Sequence, residues 1–455
     1  MAYNSRNSSS NSQGGGGMII GNNNNNGVIN RHSSESTPLI NNETYEVEKK
    51  YAPIPSFWNT VKAFAGAGSF ALPGAMTHAG LWIGSIGLVL ISILSNYTMN
   101  ILLKCSIQMT QDRIGPEKPS YADIAQRAFG RVGELFVCFM NFLVTMSICV
   151  SYLILIGQNI DYFTKIGYIP MIWIVLPFIL LLTFLTDMKY LGFTSIFGAL
   201  SLILAMFTIV IYGIKDNHVH PLSDYTFDFK QIPLWFGNAA FFFCNHIVVI
   251  PVSHASGDNK RYPNVLNFAM IFITVINVAF AVLCYLYYNF ISGGIPSAIV
   301  DVLPNGIFAN IVKVCVVLEL SCSFPLIFAA GLNVVDSSIQ IFHHHFNAFP
   351  ELDGSSVKTP FFSRNWKFYL IRIVFCSMLA GIASAVTNFG NYTSLIGSLM
   401  LAVAGFVVPP LLSLRFFPQQ AIPWKVFHIT ITIFGIMATI LGTYLSIKAF
   451  VDPSN

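Results

Sequence analysis

Glu319 stands out chemically in this chain. Of 20 acidic residues, it is the one that lies deep inside an apolar run, about 18 Å along a helix axis at about 1.5 Å per residue. A carboxyl group at that depth must be protonated, paired or turned toward a wet cavity. It is therefore a candidate to bind and release a proton. Ser321 and Ser323 follow it in Leu320-Ser-Cys-Ser-Phe-Pro325. Their hydroxyls either help to coordinate Na⁺ or bond back to carbonyls of their own helix. His246 supplies an imidazole for a proton step or a substrate contact, or is a satisfied structural histidine.

Two apolar runs carry helix-breaking sequence. The first reads Phe64-Ala-Gly-Ala-Gly-Ser-Phe-Ala-Leu-Pro73, and the second reads Phe241-Phe-Phe-Cys-Asn-His-Ile-Val-Val-Ile-Pro251. Unwound backbone at membrane depth survives only where it lines a cavity or is buried in protein. Freed N–H groups and half-helix N-termini can hold a carboxylate there, and freed carbonyls can hold a cation. Interrupted helices at corresponding positions of two halves point to a transport site. Close packing at glycines with ordinary proline kinks is the plainer alternative.

These residues need a frame, and the composition supplies it. The chain has 455 residues, 54% hydrophobic and only 10% charged, where a soluble domain carries about 25% charged residues. An ordinary cytosolic enzyme is thereby excluded. Apolar runs of about 20 residues, long enough to cross a hydrocarbon core about 30 Å thick, recur near 57–79, 81–103, 133–163, 169–186, 190–214, 232–254, 264–291, 306–342, 366–386, 392–416 and 424–449. The fold class is an all-α polytopic membrane protein of eleven spans. Spans one and six, the broken ones, fit a five-plus-five inverted repeat with one helix left over. Residues 120–129 (SYADIAQRAF) read as a short amphipathic helix at the interface.

Charge gives orientation and excludes partners. With the N-terminus inside, 17 basic residues fall on the inner side and four on the outer, leaving Lys62, Lys313 and Arg372 within spans. The asymmetry predicts a cytoplasmic N-terminus. The three intramembrane cations lie near span ends and are expected to snorkel. A net charge of +4, scattered along the chain, predicts no nucleic-acid binding. The eight cysteines fall in or beside apolar runs and read as packing residues rather than disulfide or zinc ligands. His343 to His345 lack partners at ligand spacing, so no metal site is expected.

Residues 1–50 are different material from the transmembrane domain, 51–455. Asn- and Ser-rich runs, Gly14 to Gly17 and Asn22 to Asn26 cannot bury enough apolar area to fold. A disordered cytoplasmic tail is expected. Within it Glu35, Leu39 and Ile40 resemble an acidic dileucine sorting signal, which implies sorting adaptors as partners and an endolysosomal or vacuolar membrane in preference to the plasma membrane.

At these residues the chain resembles the amino acid/auxin permease family, within the larger group with the LeuT-type fold. Gly66 to Gly80 looks like that family's Gly-x-Gly-x-x-x-Leu-Pro opening, continued by Trp82 and Gly84. Tyr121 with Ala128-Phe129-Gly130, Phe236 to Pro251, Ser323 to Phe328 and Gly397 to Pro410 extend the match over about 390 residues. The resemblance implies a secondary transporter of amino acids driven by protons or, in one branch, Na⁺, with no cofactor and no enzymatic activity. It places substrate-backbone recognition on Gly66, Ala67, Gly68 and Ser69, and selectivity on Phe243, Cys244, Asn245 and His246. The subfamily most similar is that of proton-coupled small-neutral-amino-acid transporters. There, however, a first-span histidine stands where this chain has Asn59, and a sixth-span glutamate stands where it has Cys244. Proton coupling is therefore expected to use Glu319 and His246, and Na⁺ coupling would use Ser321 and Ser323. The expected function is proton-coupled transport of neutral amino acids by alternating access. Its alternatives are a Na⁺-coupled carrier and an amino acid sensor signalling through its tail.

Overall fold

The computed structural model describes residues 52–452 except 114, 185–187, 227, 305, 343–365 and 387. The tail with its Glu35, Leu39 and Ile40 signal, and the run His343 to His345, lie outside the described residues. Among the described residues there is no strand. Prolines and glycines set the helix limits. α1 (Pro53–Phe64) starts on a proline, whose missing N–H costs nothing in a first turn, and stops where Ala65 turns extended. α2 (Gly68–Asp112) changes direction at Gly80, whose φ of 70° and ψ of 179° break the helix. That backbone suits glycine alone. The segment before Gly80 completes span one, and the segment after it is span two, dividing where the sequence predicts.

α3 (Tyr121–Thr164) repeats the device. Ser120 caps it in a reciprocal box with Asp123, and Gly130 (φ 68°) separates the short amphipathic helix from span three. α4 (Tyr168–Thr183) and α5 (Met188–Asp216) supply spans four and five. α6 (Ile232–Phe243) and α7 (His246–Ala255) are the two halves of span six, and α8 (Tyr262–Tyr288) is span seven. α9 (Ile307–Phe342) is 36 residues long, so at about 1.5 Å per residue it runs well beyond a perpendicular crossing. α10 (Trp366–Ala385) is span nine, and α13 (Ile422–Val451) is span eleven. Span ten is not the continuous helix its apolar run suggests. It is α11 (Phe389–Ile396), two successive π turns at Gly397–Leu401 and Val403–Val407, and α12 (Val408–Phe416).

Eight helical stretches among the described residues are long and apolar enough to cross a membrane. The broken first span, the shorter α4 and the partly described α5 bring the crossings to eleven, as the sequence predicts. α9 packs against α3 and α5, while α2 packs against α6 and α8. α1 packs against α7 and α8, which brings the broken halves of spans one and six together. Phe207, Ile271, Ile436 and many like them are exposed on the outside, as a lipid-facing surface requires.

Two intramembrane cations do not snorkel as expected. Lys313 is 1% exposed, with its ammonium 3.3 Å above the centre of the Tyr162 ring. Arg372 stacks 3.8 Å over Phe368 and donates from Nε to the Thr183 carbonyl at 3.1 Å. Both find an aromatic face inside the bundle, which spares them the climb to the interface.

Candidate functional site

The first break is three residues wide. Ala65 closes α1 with a 2.8 Å bond to the Val61 carbonyl. Helical bonding then resumes in tight turns, with Ser69 N donating to Gly66 O and Phe70 N to Ala67 O, both at 3.1 Å. The N–H groups of Gly66, Ala67 and Gly68 are left without a backbone acceptor among the described residues. They sit at the positive end of the helical run 68–79, which suits a carboxylate. Gly68 is glycine for want of room: a Cβ there would stand 3.2 Å from the Phe241 ring and 3.3 Å from that of Phe242. Gly66 is freer, since its Cβ would meet the Tyr152 hydroxyl at an ordinary 3.6 Å.

The second break falls at Cys244 and Asn245, whose backbones leave the helical region. Asn245 repairs part of the damage by donating from Nδ2 to the Phe242 carbonyl at 2.7 Å. α7 then restarts with Val248 N bonded to Asn245 O.

A cavity of about 300 Å³ opens between the breaks, at the lower end of ordinary small-molecule sites. Gly66, Ala67, Gly68 and Asn245 reach its surface, together with Tyr152, Asn141 and Thr145 of α3. Phe64, Phe241 and Phe242 supply apolar wall. Among the described residues no Asp, Glu, Lys, Arg or His lines it. It extends to Ser120 and Tyr121 at the start of α3 and to Pro251 on α7. On the opposite side α6 and span ten touch backbone to backbone: a Cβ on Gly397 would collide with the Gly237 carbonyl oxygen.

The remaining expected site residues stand behind this wall. Ser69, Phe243, Cys244 and His246 are each at most 1% exposed and are absent from the lining. Cys244 Sγ faces Ser95 Oγ at 3.4 Å. His246 Nε2 shares a 2.8 Å hydrogen bond with Thr98 Oγ1, and its ring presses on Gly405 in the second π turn. The side chain expected to touch substrate is thus a strut between spans two, six and ten.

Glu319 occupies a separate niche. Its Oε1 accepts a 2.8 Å hydrogen bond from Ser323 Oγ. Its Cγ lies where only a glycine, Gly198 of α5, leaves space, because a Cβ there would come within 2.6 Å. The Lys62 ammonium, from the last turn of α1, lies within electrostatic reach of the carboxyl, and so does the Tyr152 phenol. Tyr152 therefore has Glu319 on one side and the cavity on the other. Ser321 is buried on the same helix.

Sequence reasoning missed Tyr152, Asn141 and Thr145, which come from an unbroken apolar run, and took Lys62 for a snorkelling residue. The 3.6 spacing of Asn141, Thr145, Ile148 and Tyr152 along one helix face was the signal available.

The family described as "Transmembrane amino acid transporter protein" matches residues 50–448. Amino acid transporter ANT1 of Arabidopsis thaliana is 26% identical over 432 residues, covering 90% of this chain and 96% of that protein. Amino acid transporter AVT3B of the same plant is 25% identical over 439 residues, covering 91% and 96%. Vacuolar amino acid transporter 4 of Saccharomyces cerevisiae is 22% identical over 381 residues, covering 78% of this chain and 51% of that protein. Among solved structures, MhsT in complex with L-phenylalanine matches with a TM-score of 0.48 at 12% identity, covering 87% of this chain and 99% of that one.

Proposed function

The chain belongs to the transmembrane amino acid transporter family, and from that premise we propose that it moves neutral amino acids across a membrane by alternating access, coupled to protons. One observation carries the reading. A cavity free of charged side chains meets three unsatisfied N–H groups at the start of a half-helix. The substrate carboxylate fits those N–H groups. A charged substrate side chain would find no counter-charge on the walls, whereas a neutral one loses nothing there.

Glu319 is the coupling site in this reading. Its carboxyl changes charge on protonation, and Tyr152, which lines the cavity, lies within its electrostatic reach. With Lys62 opposite, a deprotonated Glu319 gains a Coulomb partner and a protonated one releases it. The two states therefore favour different placements of α1 against α9. The same ammonium argues against Na⁺ coupling. A tethered cation stands within reach of Glu319, to which the Ser323 hydroxyl is already committed, so Na⁺ would meet both repulsion and an occupied ligand.

The distribution of basic residues supports a cytoplasmic N-terminus. The cavity then opens toward the cytoplasm, and the α6–span ten contact closes the far side. The vacuolar designation of the yeast relative and the Glu35, Leu39 and Ile40 signal support a vacuolar or endolysosomal membrane, with adaptors reading the tail. The test is uptake of pooled labelled amino acids into proteoliposomes under a pH gradient, a Na⁺ gradient (choline replacing Na⁺ in the control), or neither. Accumulation under the pH gradient alone supports the reading. A requirement for Na⁺ overturns the coupling, and saturable binding without flux overturns transport in favour of sensing.

A further inference from the structure

A second cavity, of about 280 Å³, lies where α2 and α12 end and α3 begins. Gln108 and Asp112 of α2, Arg127 and Ala128 of α3, and Arg415 and Phe416 of α12 line it. The local sequence explains the convergence. The short helix at the start of α3 buries Tyr121, Ile124, Ala125 and Ala128 in a satellite core with Leu102, Cys105, Val408 and Leu412. Arg127 is left on its exposed side. Arg415 is fixed beside it by donating from Nε to the Ala128 carbonyl at 3.2 Å, which leaves its terminal nitrogens available to the cavity.

The charges there are not neutralised. Neither guanidinium has a carboxylate within 4 Å among the described residues, although Asp112 shares the cavity. Asp112 is instead held by a 2.9 Å bond from Gln108 Nε2. Two guanidiniums from different helices, lining one small cavity that is open to solvent, offer donors that suit phosphate oxygens. Asp112 would repel a bare phosphate but accepts bonds from hydroxyls. The ligand that meets all three groups carries phosphate and hydroxyls together.

We propose that this cavity binds a phosphorylated polyol of the inositol phosphate class, either free or as the headgroup of a phospholipid. Its position at the cytoplasmic ends of spans two and ten rests on the orientation proposed above, whereas the binding chemistry does not. The bound group would tie α12 to the helix whose Tyr121 lines the mouth of the substrate cavity. Occupancy would therefore bear on the opening of that mouth.

The test uses the full chain and needs no transport, so its failure is separable from failure of the proposed function. Inositol 1,4,5-trisphosphate and inorganic phosphate are titrated into detergent-solubilised wild type, Arg127→Gln, Arg415→Lys and Asp112→Asn, with a thermal melt confirming that each variant folds. Nanodiscs then compare phosphatidylinositol phosphate with phosphatidylserine at equal total charge. We expect Arg127→Gln to weaken inositol phosphate binding about tenfold or more. Arg415→Lys should weaken it as well, since it keeps the charge and loses the fork. Asp112→Asn should narrow the preference for inositol phosphate over inorganic phosphate. Binding of the soluble probe identifies a free ligand, and preference for the inositol lipid in nanodiscs without soluble binding identifies the headgroup. No binding in either arm, binding indifferent to both arginine substitutions, or equal response to the two lipids without binding of the soluble probe would overturn the proposal.

Discussion

Ser323 donates a 2.8 Å hydrogen bond to Oε1 of Glu319, one helical turn away on α9, and this bond orients the carboxyl. The second oxygen is left for a proton or for the field of Lys62. Among the described residues the niche holds the Ser323 hydroxyl as hydrogen-bond partner, the Lys62 cation and the Tyr152 phenol nearby, and a glycine wall at Gly198 that admits nothing larger. In the proposed coupling it would take a single proton rather than a hydrated ion.

Replacing Glu319 by Gln keeps the shape and the bond to Ser323 while removing the charge change. One proton carried per substrate lets each unit of pH difference support up to about tenfold accumulation. The Gln variant is expected to exchange labelled for unlabelled amino acid across proteoliposomes at near wild-type rates, with accumulation falling to about onefold. Undiminished concentrative uptake in that variant would remove Glu319 from the coupling.

Gly66 and Gly68 separate two demands on the unwound segment. Gly66→Ala meets Tyr152 at an ordinary distance, whereas Gly68→Ala presses on two phenyl rings of α6. Overpacking of this kind costs about 1–3 kcal/mol, here charged partly to the cavity walls. The apparent KM should rise within about threefold for Gly66→Ala and by about tenfold or more for Gly68→Ala. The reverse order would show that the walls yield and that the free N–H groups carry the effect.

Gly397→Ala tests the closed side. Its Cβ would strike the Gly237 carbonyl oxygen, a backbone atom that cannot rotate away as a side chain can. At about 1–3 kcal/mol of strain, the melting temperature in detergent should fall by roughly 1–3 °C for a chain of 455 residues. Cysteine-accessibility labelling from the side away from Ser120 should increase as α6 and span ten separate. A melt equal to wild type, with unchanged labelling, would show that the contact is dispensable.

The frame was legible in the sequence, but only part of the site was. Spans show themselves by apolar length, and Gly66, Gly68 and Pro73 betray the first break because an uninterrupted lipid-facing helix has no use for them. Glu319 was legible from depth alone. Which side a residue faces was less so. Cys244 and His246 stand at the second break yet point into spans two and ten, because a two-residue interruption turns successive side chains through widely different directions. The walls at Asn141, Thr145 and Tyr152 belong to a helix with no breaker to mark it. The π turns of span ten are equally silent, since Gly397 to Val407 reads as one apolar run until its packing against α6 and His246 is seen.

The absence of charge from the cavity walls makes the last prediction the most discriminating for substrate class. Asn141 lines the cavity with its Oδ1 buried and without a partner among the described residues. It can therefore accept a bond from the substrate. Asn141→Asp introduces a carboxylate into the cavity whose N–H groups would hold the substrate's own in the proposed pose. A zwitterion with a neutral side chain gains nothing from it and must share the cavity with a second negative charge. A lysine or arginine side chain gains an ion pair in a site of low dielectric, where such pairs outweigh those in water. Competition of unlabelled amino acids against a labelled neutral substrate is the readout. Wild type should be inhibited by neutral amino acids and indifferent to lysine and arginine, and Asn141→Asp should admit the cationic pair while binding neutral substrates several-fold more weakly. If wild type already binds lysine as well as it binds leucine, selectivity does not come from these walls and the neutral assignment fails.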